Sequence, residues 1–362
     1  MTEIIGSQVF SRTVDHTPAL VHEVDGVLLC TAIDDITHDV RSFTFAIPGG
    51  SGLDFDPGQY LTLNLPVDGA YAERCYTISS TPTRPEALTI TVKRVPGGPV
   101  SNWLHDHLSV GDTVFARGPF GDFSLAHHPA DHYLFLSAGS GITPTMSMLR
   151  SLVDRADSTQ VTFVHSARTP DDIIFRAELA ELAGYANVNI AILCEDDAPH
   201  EVWEGPRGRL NPLALLTACP QLLTTEIFTC GPPPYMAAVR ELADLLGVDP
   251  ARYHQESFLL GADDTGQSEV TSTTSVSHQV TFQRSGRVIE CAESTPLLTA
   301  AAHAGLSLAS SCGEGVCGTC KLDLLEGDVD MQHAGGIRPR EIAAGKILMC
   351  CSTPCTDLVI DA

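Results

Sequence analysis

The chain has 362 residues, more than one average domain, and its 43% hydrophobic content is ample for several buried cores. Lys and Arg number 21 against 45 Asp and Glu, a net charge of −24, which argues against nucleic-acid binding and against docking on anionic membranes. The N-terminus, MTEIIGSQVF, lacks a basic stretch followed by an apolar region, and no apolar run approaches membrane-spanning length. With twelve cysteines and no disulfide-like framework, a reducing cytoplasmic compartment is the expectation. Residues 1–25 carry no strong pattern and read as an N-terminal arm. Over 26–128, GVLLCTAIDD, VRSFTFAIP, QYLTLNLPV, RCYTIS, ALTITVKRV and TVFARGP are β-rich and broken by Pro, Gly and Asp, the pattern of a small antiparallel barrel.

Over 129–258 apolar strands alternate with helices. HYLFLSAG precedes TPTMSMLRSLV, VTFVHSA precedes DDIIFRAELAEL, VNIAILCE precedes NPLALLTA, and EIFTCGPPP precedes YMAAVRELADLLG. That alternation predicts a parallel sheet with helical crossovers. Residues 259–276, rich in Ser, Thr, Asp and Gly without periodicity, read as a flexible linker. In 277–362, HQVTFQRSGRVIEC reads as a hairpin, TPLLTAAAHAG as a helix and LVID as a closing strand.

The last module carries the strongest motif. Cys312, Cys317 and Cys320 stand in SSCGEGVCGTCK, and Cys350 stands in ILMCCS. C-x4-C-x2-C with a distant fourth cysteine is the plant-type arrangement for a 2Fe–2S cluster. Gly313, Gly315 and Gly318 let the loop fold tightly enough for backbone N–H groups to point at sulfur. A zinc site or buried free thiols are the alternatives, but zinc sites usually pair two short knuckles, and this spacing fits them poorly.

Upstream, SAGSGITPTM lies between a strand and a helix. Gly139 and Gly141 permit close backbone approach and the helix N-terminus offers free N–H groups, a pyrophosphate cradle at the first strand–helix unit. Cys230, Gly231 and Pro232 end a later strand at the sheet's carboxyl edge, over the ligand crevice. In the barrel, Arg74, Tyr76 and Thr77 offer a cation for phosphate, a ring to pack on a flat cofactor and a hydroxyl for a ring edge; on a strand, Arg74 and Tyr76 share one face and Thr77 takes the other. PGGPVS (96–101) is a second phosphate-compatible turn. Each of these has a bland alternative as an ordinary turn, strand or buried thiol.

Taken together and in order, these motifs resemble the ferredoxin–NADP⁺ reductase superfamily over about residues 26–362. The layout is similar to reductase components of Rieske-type oxygenases, notably the glycine betaine monooxygenase reductase type, and to reductases of hybrid-cluster proteins. The resemblance implies a multidomain fold: a FAD-binding antiparallel β-barrel (26–128), an NAD(P)-binding α/β domain (129–258) and an α+β, β-grasp plant-type ferredoxin domain (277–362). It implies that Arg74, Tyr76 and Thr77 form the flavin motif and that Lys93, Gly98, Val100 and Ser101 form the second flavin segment. Gly139, Gly141, Thr143 and Pro144 match the nicotinamide-pyrophosphate loop. Cys230, Gly231 and Pro232 order the nicotinamide, and Glu256 and Phe258, in HQESF, lie near the flavin ring. The family pattern places the fourth cluster ligand at Cys350 rather than Cys351 or Cys355. Because PGGPVS is less glycine-rich than the segment of FMN-containing reductases, FAD is expected over FMN.

The implied activity is electron transfer from NAD(P)H through FAD and the 2Fe–2S cluster to a partner, a Rieske-type oxygenase acting on glycine betaine or a related methylamine. A hybrid-cluster protein, a di-iron oxygenase or a cytochrome is the alternative acceptor, and a non-catalytic redox-sensing or zinc-binding module is the alternative from another class. Ser166 and Arg168, after the second strand of the nucleotide domain, suit a 2′-phosphate, whereas Asp171 and Asp172 repel one, so NADH is expected over NADPH.

Overall fold

A computed structural model describes residues 19–67, 69–257, 277–306, 308, 315, 318, 320–333, 337 and 339–362. Residues 1–18 and the expected linker, 259–276, lie outside the described residues. The last residues of the expected arm, 19–25, are already part of the fold. β1 (Leu20–Val21) pairs in parallel with Gly52–Leu53, and Val24, buried in the barrel core, already opens the next strand.

The first domain is built from β2 (Val24–Thr37), β3 (Val40–Ala46), β4 (Gly52–Leu53), β5 (Tyr60–Val67), β6 (Ala70–Thr77), β7 (Leu88–Lys93) and β8 (Thr113–Phe120). Six of these form an antiparallel sheet in the order β6-β5-β8-β2-β3-β7. Alternating residues such as Leu28, Phe43, Phe45, Leu61, Leu63 and Ile90 turn inward to one core. The sheet curls until its two edges meet at the Ile78–Ile90 bridge. A helix not foreseen, α1 (Pro99–His107), follows the PGG turn. It is short, but Val100, Trp103 and Leu104 recur on one face and pack on the barrel core, Pro99 sits at the first helical position, and His105 and His107 stand in the last turn, where each is favoured.

The second domain contains β9 (His132–Ala138), α2 (Ile142–Asp154), β10 (Gln160–Ala167), α3 (Arg176–Leu182), β11 (Val188–Cys194), α4 (Pro212–Ala218), β12 (Glu226–Gly231), α5 (Pro233–Leu246) and β13 (Tyr253–Ser257). All five strands are parallel, in the order β11-β10-β9-β12-β13. The central strands are buried along nearly their whole length, because both faces are covered. Phe135, Phe163 and Phe228 pack toward α2 and α3, whereas Leu134, Leu136 and Ile227 pack on the other face toward α4 and α5. The helix expected over DDIIFRAELAEL is shorter. Asp172 folds back to accept hydrogen bonds from the Thr169 N–H and hydroxyl, closing a 3₁₀ turn, and Phe175 is left-handed at φ 59°, so α3 starts only at Arg176.

The loop after β6 is fastened to α2 of the second domain. Arg150 donates to the Ser79 carbonyl (2.5 Å), Ser147 to the Ser80 carbonyl (2.7 Å), and Arg84 pairs with Asp154 (2.7 Å). The third domain has its own core around Val280, Phe282, Leu348 and Ile360. Its strands are β14 (Ser277–Phe282), β15 (Arg287–Ala292), β16 (Lys321–Glu326), β17 (Val329–Met331), β18 (Lys346–Leu348), β19 (Ser352–Pro354) and β20 (Leu358–Ile360), with α6 (Leu297–His303) and α7 (Pro339–Ala343). The main sheet, β15-β14-β20-β16-β18, confirms the hairpin, helix and closing strand and adds strands around the cysteine loop.

Candidate active site and electron-transfer centre

The carboxyl ends of β9, β10 and β12 face the barrel across a cavity of about 860 Å³. The two domains share its walls: Arg74, Tyr76 and Thr77 of β6 with Lys93, Gly98, Val100 and Ser101 from the first, and Gly139, Thr143, Ser166, Arg168, Gly231, Pro232 and Glu256 from the second. Thr77 lines the same cavity as Arg74 and Tyr76, not the opposite face expected from strand alternation; it is the last residue of β6, next to the bridge that closes the barrel. Basic side chains on this surface (Arg74, Lys93, Arg94, Arg168, Arg209) outnumber acidic ones (Asp172, Glu195, Glu256), although the chain as a whole carries −24. Lys93, Arg94 and Arg209 are ion-paired with Asp39, Asp106 and Glu195, which leaves Arg74 and Arg168 as the lining cations with no salt bridge among the described residues, suited to an anionic dinucleotide.

Residue by residue, the barrel side offers groups that suit a flavin. The Thr77 hydroxyl is buried with no hydrogen-bond partner, a donor left for a bound group. Burial pushes the Tyr76 phenol up, so it stays a neutral ring and donor. Ser101 is the exception, since its Oγ accepts from the Val95 N–H (3.2 Å) and sits 3.3 Å from the Gly98 carbonyl, so it shapes the turn. Lys93 is paired with Asp39 at 2.9 Å.

On the nucleotide side, Gly139 has φ +51° and Gly141 lies against the end of β12. A Cβ on Gly141 would sit 2.3 Å from the Cys230 carbonyl oxygen, so only glycine permits this approach. Gly141 and Pro144 thus lie behind the cavity wall, as does Cys230, which is fully buried. The expected position of Cys230 over the crevice is taken by its neighbours Gly231 and Pro232. Burial, with the carboxylate of its cross-strand neighbour Glu256, pushes the Cys230 thiol well up, which keeps it protonated and unreactive. Phe258 lies outside the described residues.

Cys312 and Cys317 also lie outside the described residues. The other two expected ligands converge: the Cys320 and Cys350 sulfurs are 3.1 Å apart, and the Gly315 N–H donates to the Cys350 sulfur at 3.2 Å. A donor set of close thiolates with a backbone N–H aimed at sulfur fits a 2Fe–2S cluster. Cys350 and Cys351 lie in a turn after β18 rather than on a strand, so the choice between them does not depend on strand register. The Cys350 side chain meets Cys320, whereas the Cys351 sulfur packs where a Gly315 Cβ would stand, 2.6 Å away.

A second group of metal-capable side chains, His128, Glu226 and His254, lies at the opposite end of β12. It forms a satisfied network: His254 bonds Glu226 at 2.6 Å, Arg252 approaches the same carboxylate at 3.4 Å, and the two imidazoles stack at 3.7 Å. Three charged cavity residues, Arg94, Glu195 and Arg209, carry no sequence signal, because they stand outside the strands and helices and belong to no motif.

Comparison with known proteins matches the oxidoreductase FAD-binding domain to residues 28–125, the oxidoreductase NAD-binding domain to 135–241 and the 2Fe–2S iron–sulfur cluster binding domain to 280–355. The glycine betaine monooxygenase reductase subunit of Pseudomonas aeruginosa is 44% identical over 345 residues, covering 92% of this chain and 94% of that protein. The chain belongs to the ferredoxin–NADP⁺ reductase superfamily, among the reductase subunits of monooxygenase systems. This reductase is also 42% identical to the stachydrine N-demethylase reductase subunit of Rhizobium meliloti, covering 90% of this chain and 93% of the other. Phthalate dioxygenase reductase, a solved structure, shares the fold with a TM-score of 0.57 at 24% identity, covering 93% and 97% of the two chains. The reductase is thus an oxidoreductase with FAD-binding, NAD-binding and 2Fe–2S domains, in agreement with the expected three-domain fold. Among the described residues no helix is long and apolar enough to cross a membrane.

Proposed function

We propose that this reductase oxidises NADH and delivers electrons singly to a separate Rieske-type oxygenase acting on glycine betaine or a related methylamine. The observation that carries the reading is the shared cavity, in which the Arg74–Thr77 strand of the barrel faces the Gly139 turn and Gly231–Pro232 of the nucleotide domain. When bound, FAD accepts the two electrons of a hydride and releases them one at a time, and the 2Fe–2S cluster relays single electrons.

The chain supplies orientation and electrostatics. Arg74 and the turn at Gly98, which opens α1, hold the flavin phosphates. Tyr76 packs against the ring system and Thr77 donates its free hydroxyl to it. The Gly139–Gly141 turn and the start of α2 receive the dinucleotide pyrophosphate, with Thr143 beside them and Pro144 packing behind. Cys230, Gly231 and Pro232 shape the nicotinamide wall, Glu256 lines the cavity beside them, and Phe258, which lies outside the described residues, keeps the flavin role that the resemblance implies. Cys312, Cys317, Cys320 and Cys350 hold the cluster. The names of the relatives favour an oxygenase as acceptor over a cytochrome or hybrid-cluster protein. Twelve cysteines without a disulfide framework suit a reducing compartment, and we place the reductase in the cytoplasm.

The test is cofactor analysis of the purified protein followed by NADH-dependent reduction of cytochrome c. Flavin, two irons per chain and rapid NADH-driven reduction are expected. A colourless, zinc-holding protein, or one inert toward NADH and NADPH, would overturn the reading.

A further inference from the structure

The sheet order places β10 and β11 on one side of β9 and the nicotinamide wall of β12 and β13 on the other. A dinucleotide whose pyrophosphate sits at the Gly139–Gly141 turn therefore lays its adenosine ribose toward the ends of β10 and β11. In doubly wound sheets that recognise NADH, a carboxylate at the end of the second strand accepts the ribose 2′-hydroxyl. Here that position holds Ser166, Ala167 and Arg168, with no carboxylate. Asp172 lines the cavity, but its Oδ2 accepts from the Thr169 N–H (3.1 Å) and hydroxyl (2.7 Å) and its Oδ1 lies 4.0 Å from the His38 imidazole, and Asp171 is not on the cavity wall.

The missing carboxylate arrives from the neighbouring strand. Glu195 directly follows β11, and its N–H donates to the Ala167 carbonyl at 3.2 Å, with the next N–H, of Asp196, on the Arg168 carbonyl at 2.8 Å. These bonds seat Glu195 beside the end of β10, on the cavity wall. Arg209 is drawn to the same place, because the Gly208 N–H donates to the Cys194 carbonyl at 2.9 Å. Its guanidinium donates from Nε to Glu195 Oε2 at 3.2 Å and is 84% exposed, so it is available to a ligand.

We propose that Glu195 is the residue that selects NADH over NADPH, an inference that rests on the function proposed above. Its carboxylate accepts the ribose 2′-hydroxyl, repels a 2′-phosphate and keeps Arg209 paired. Without that negative charge, Arg168 and Arg209 form a two-guanidinium site for the phosphate that distinguishes NADPH.

The test uses the holoprotein and Glu195→Gln, which removes the charge and keeps the size. Two ratios are read: kcat/KM for NADH over NADPH with cytochrome c as acceptor, and, by calorimetry, Kd for AMP against adenosine 2′,5′-bisphosphate, which involves no electron transfer. Both should move toward the 2′-phosphorylated ligand by on the order of 10- to 100-fold, the range for a hydrogen bond to a charged group. In Glu195→Gln/Arg209→Gln the gain should fall back. Unmoved ratios in Glu195→Gln, a wild type that prefers NADPH, or a double variant as tolerant of the 2′-phosphate as the single would overturn the assignment. Wild-type inactivity with both nucleotides would count against the proposed function, while the calorimetric ratio would still decide this inference.

Discussion

Replacing Gly141 by alanine separates a steric requirement from a merely conformational one. The new Cβ would stand 2.3 Å from the Cys230 carbonyl oxygen, 2.4 Å from its carbon and 2.6 Å from the Gly231 nitrogen. All three are backbone atoms of the buried strand β12, so no side chain can rotate away. Restoring ordinary contact moves the turn from β12 by about 1 Å. Overpacking of this kind costs about 1–3 kcal/mol, and a 1 Å misplacement at a reacting centre costs about 100-fold in rate. Gly139 provides the control. It has φ +51° but open space around its Cβ position, so Gly139→Ala carries only backbone strain, about 1 kcal/mol. Anaerobic stopped-flow flavin reduction by NADH, with a thermal melt of each variant, reads both effects. Gly141→Ala should be slower by about two orders of magnitude, with Gly139→Ala much closer to wild type. Equal behaviour of the two variants, or a Gly141→Ala protein with wild-type rate and stability, would refute the close-approach argument.

Gly315→Ala should lose the cluster, since its Cβ would meet the Cys351 sulfur at 2.6 Å and the residue holds φ +71°; Cys351→Ala in that background should restore iron only in part, because the backbone strain remains, and iron content with the visible spectrum checks both. Cys350→Ser should abolish the cluster yet leave NADH-driven flavin reduction intact, whereas Cys351→Ser should keep the cluster spectrum; the reverse pattern would move the fourth ligand. Burial holds the His165 imidazole at about 3, with its Nε2 unpartnered. Its folded pKa lies below the unfolded value of about 6.5, so its stabilising contribution is complete above that pH and is lost as pH falls toward 3, at about 1.4 kcal/mol per pH unit. Denaturant melts of the nucleotide domain should therefore lose about 2 kcal/mol between pH 6.5 and 5, and His165→Gln should flatten that slope.

The parts of this molecule that are legible in its sequence are those where chemistry forces local spacing. Thiolates for one cluster need glycines between them, and strands buried on both faces read as apolar runs such as HYLFLSA and EIFTCG. The barrel strands β2 and β8 are equally plain, because their residues alternate between the core and the exposed face. Features set by long-range contact are not legible. α1 is only nine residues long and follows directly on a Pro-Gly-Gly turn that masks its start, and β13 is short and acquires its identity only by pairing with β12. Asp172 does line the cavity, but that its Oδ2 is taken by Thr169 in a tight turn is set by local folding and does not show in the charge pattern. Glu195 stands far from the glycine turn in sequence and reaches the cavity only because β11 lies beside β10. Cys230 carries the opposite lesson: its motif marks the right strand end, but the wall itself belongs to the residues that follow it.

The order of electron transfer is the central claim, and anaerobic mixing of the reductase with NADH in a stopped-flow spectrometer tests it most directly. Flavin absorbance should bleach first, followed by that of the 2Fe–2S centre, with the second phase absent in Cys350→Ser. Cluster bleaching that precedes flavin bleaching, or that proceeds in protein stripped of flavin, would contradict the account.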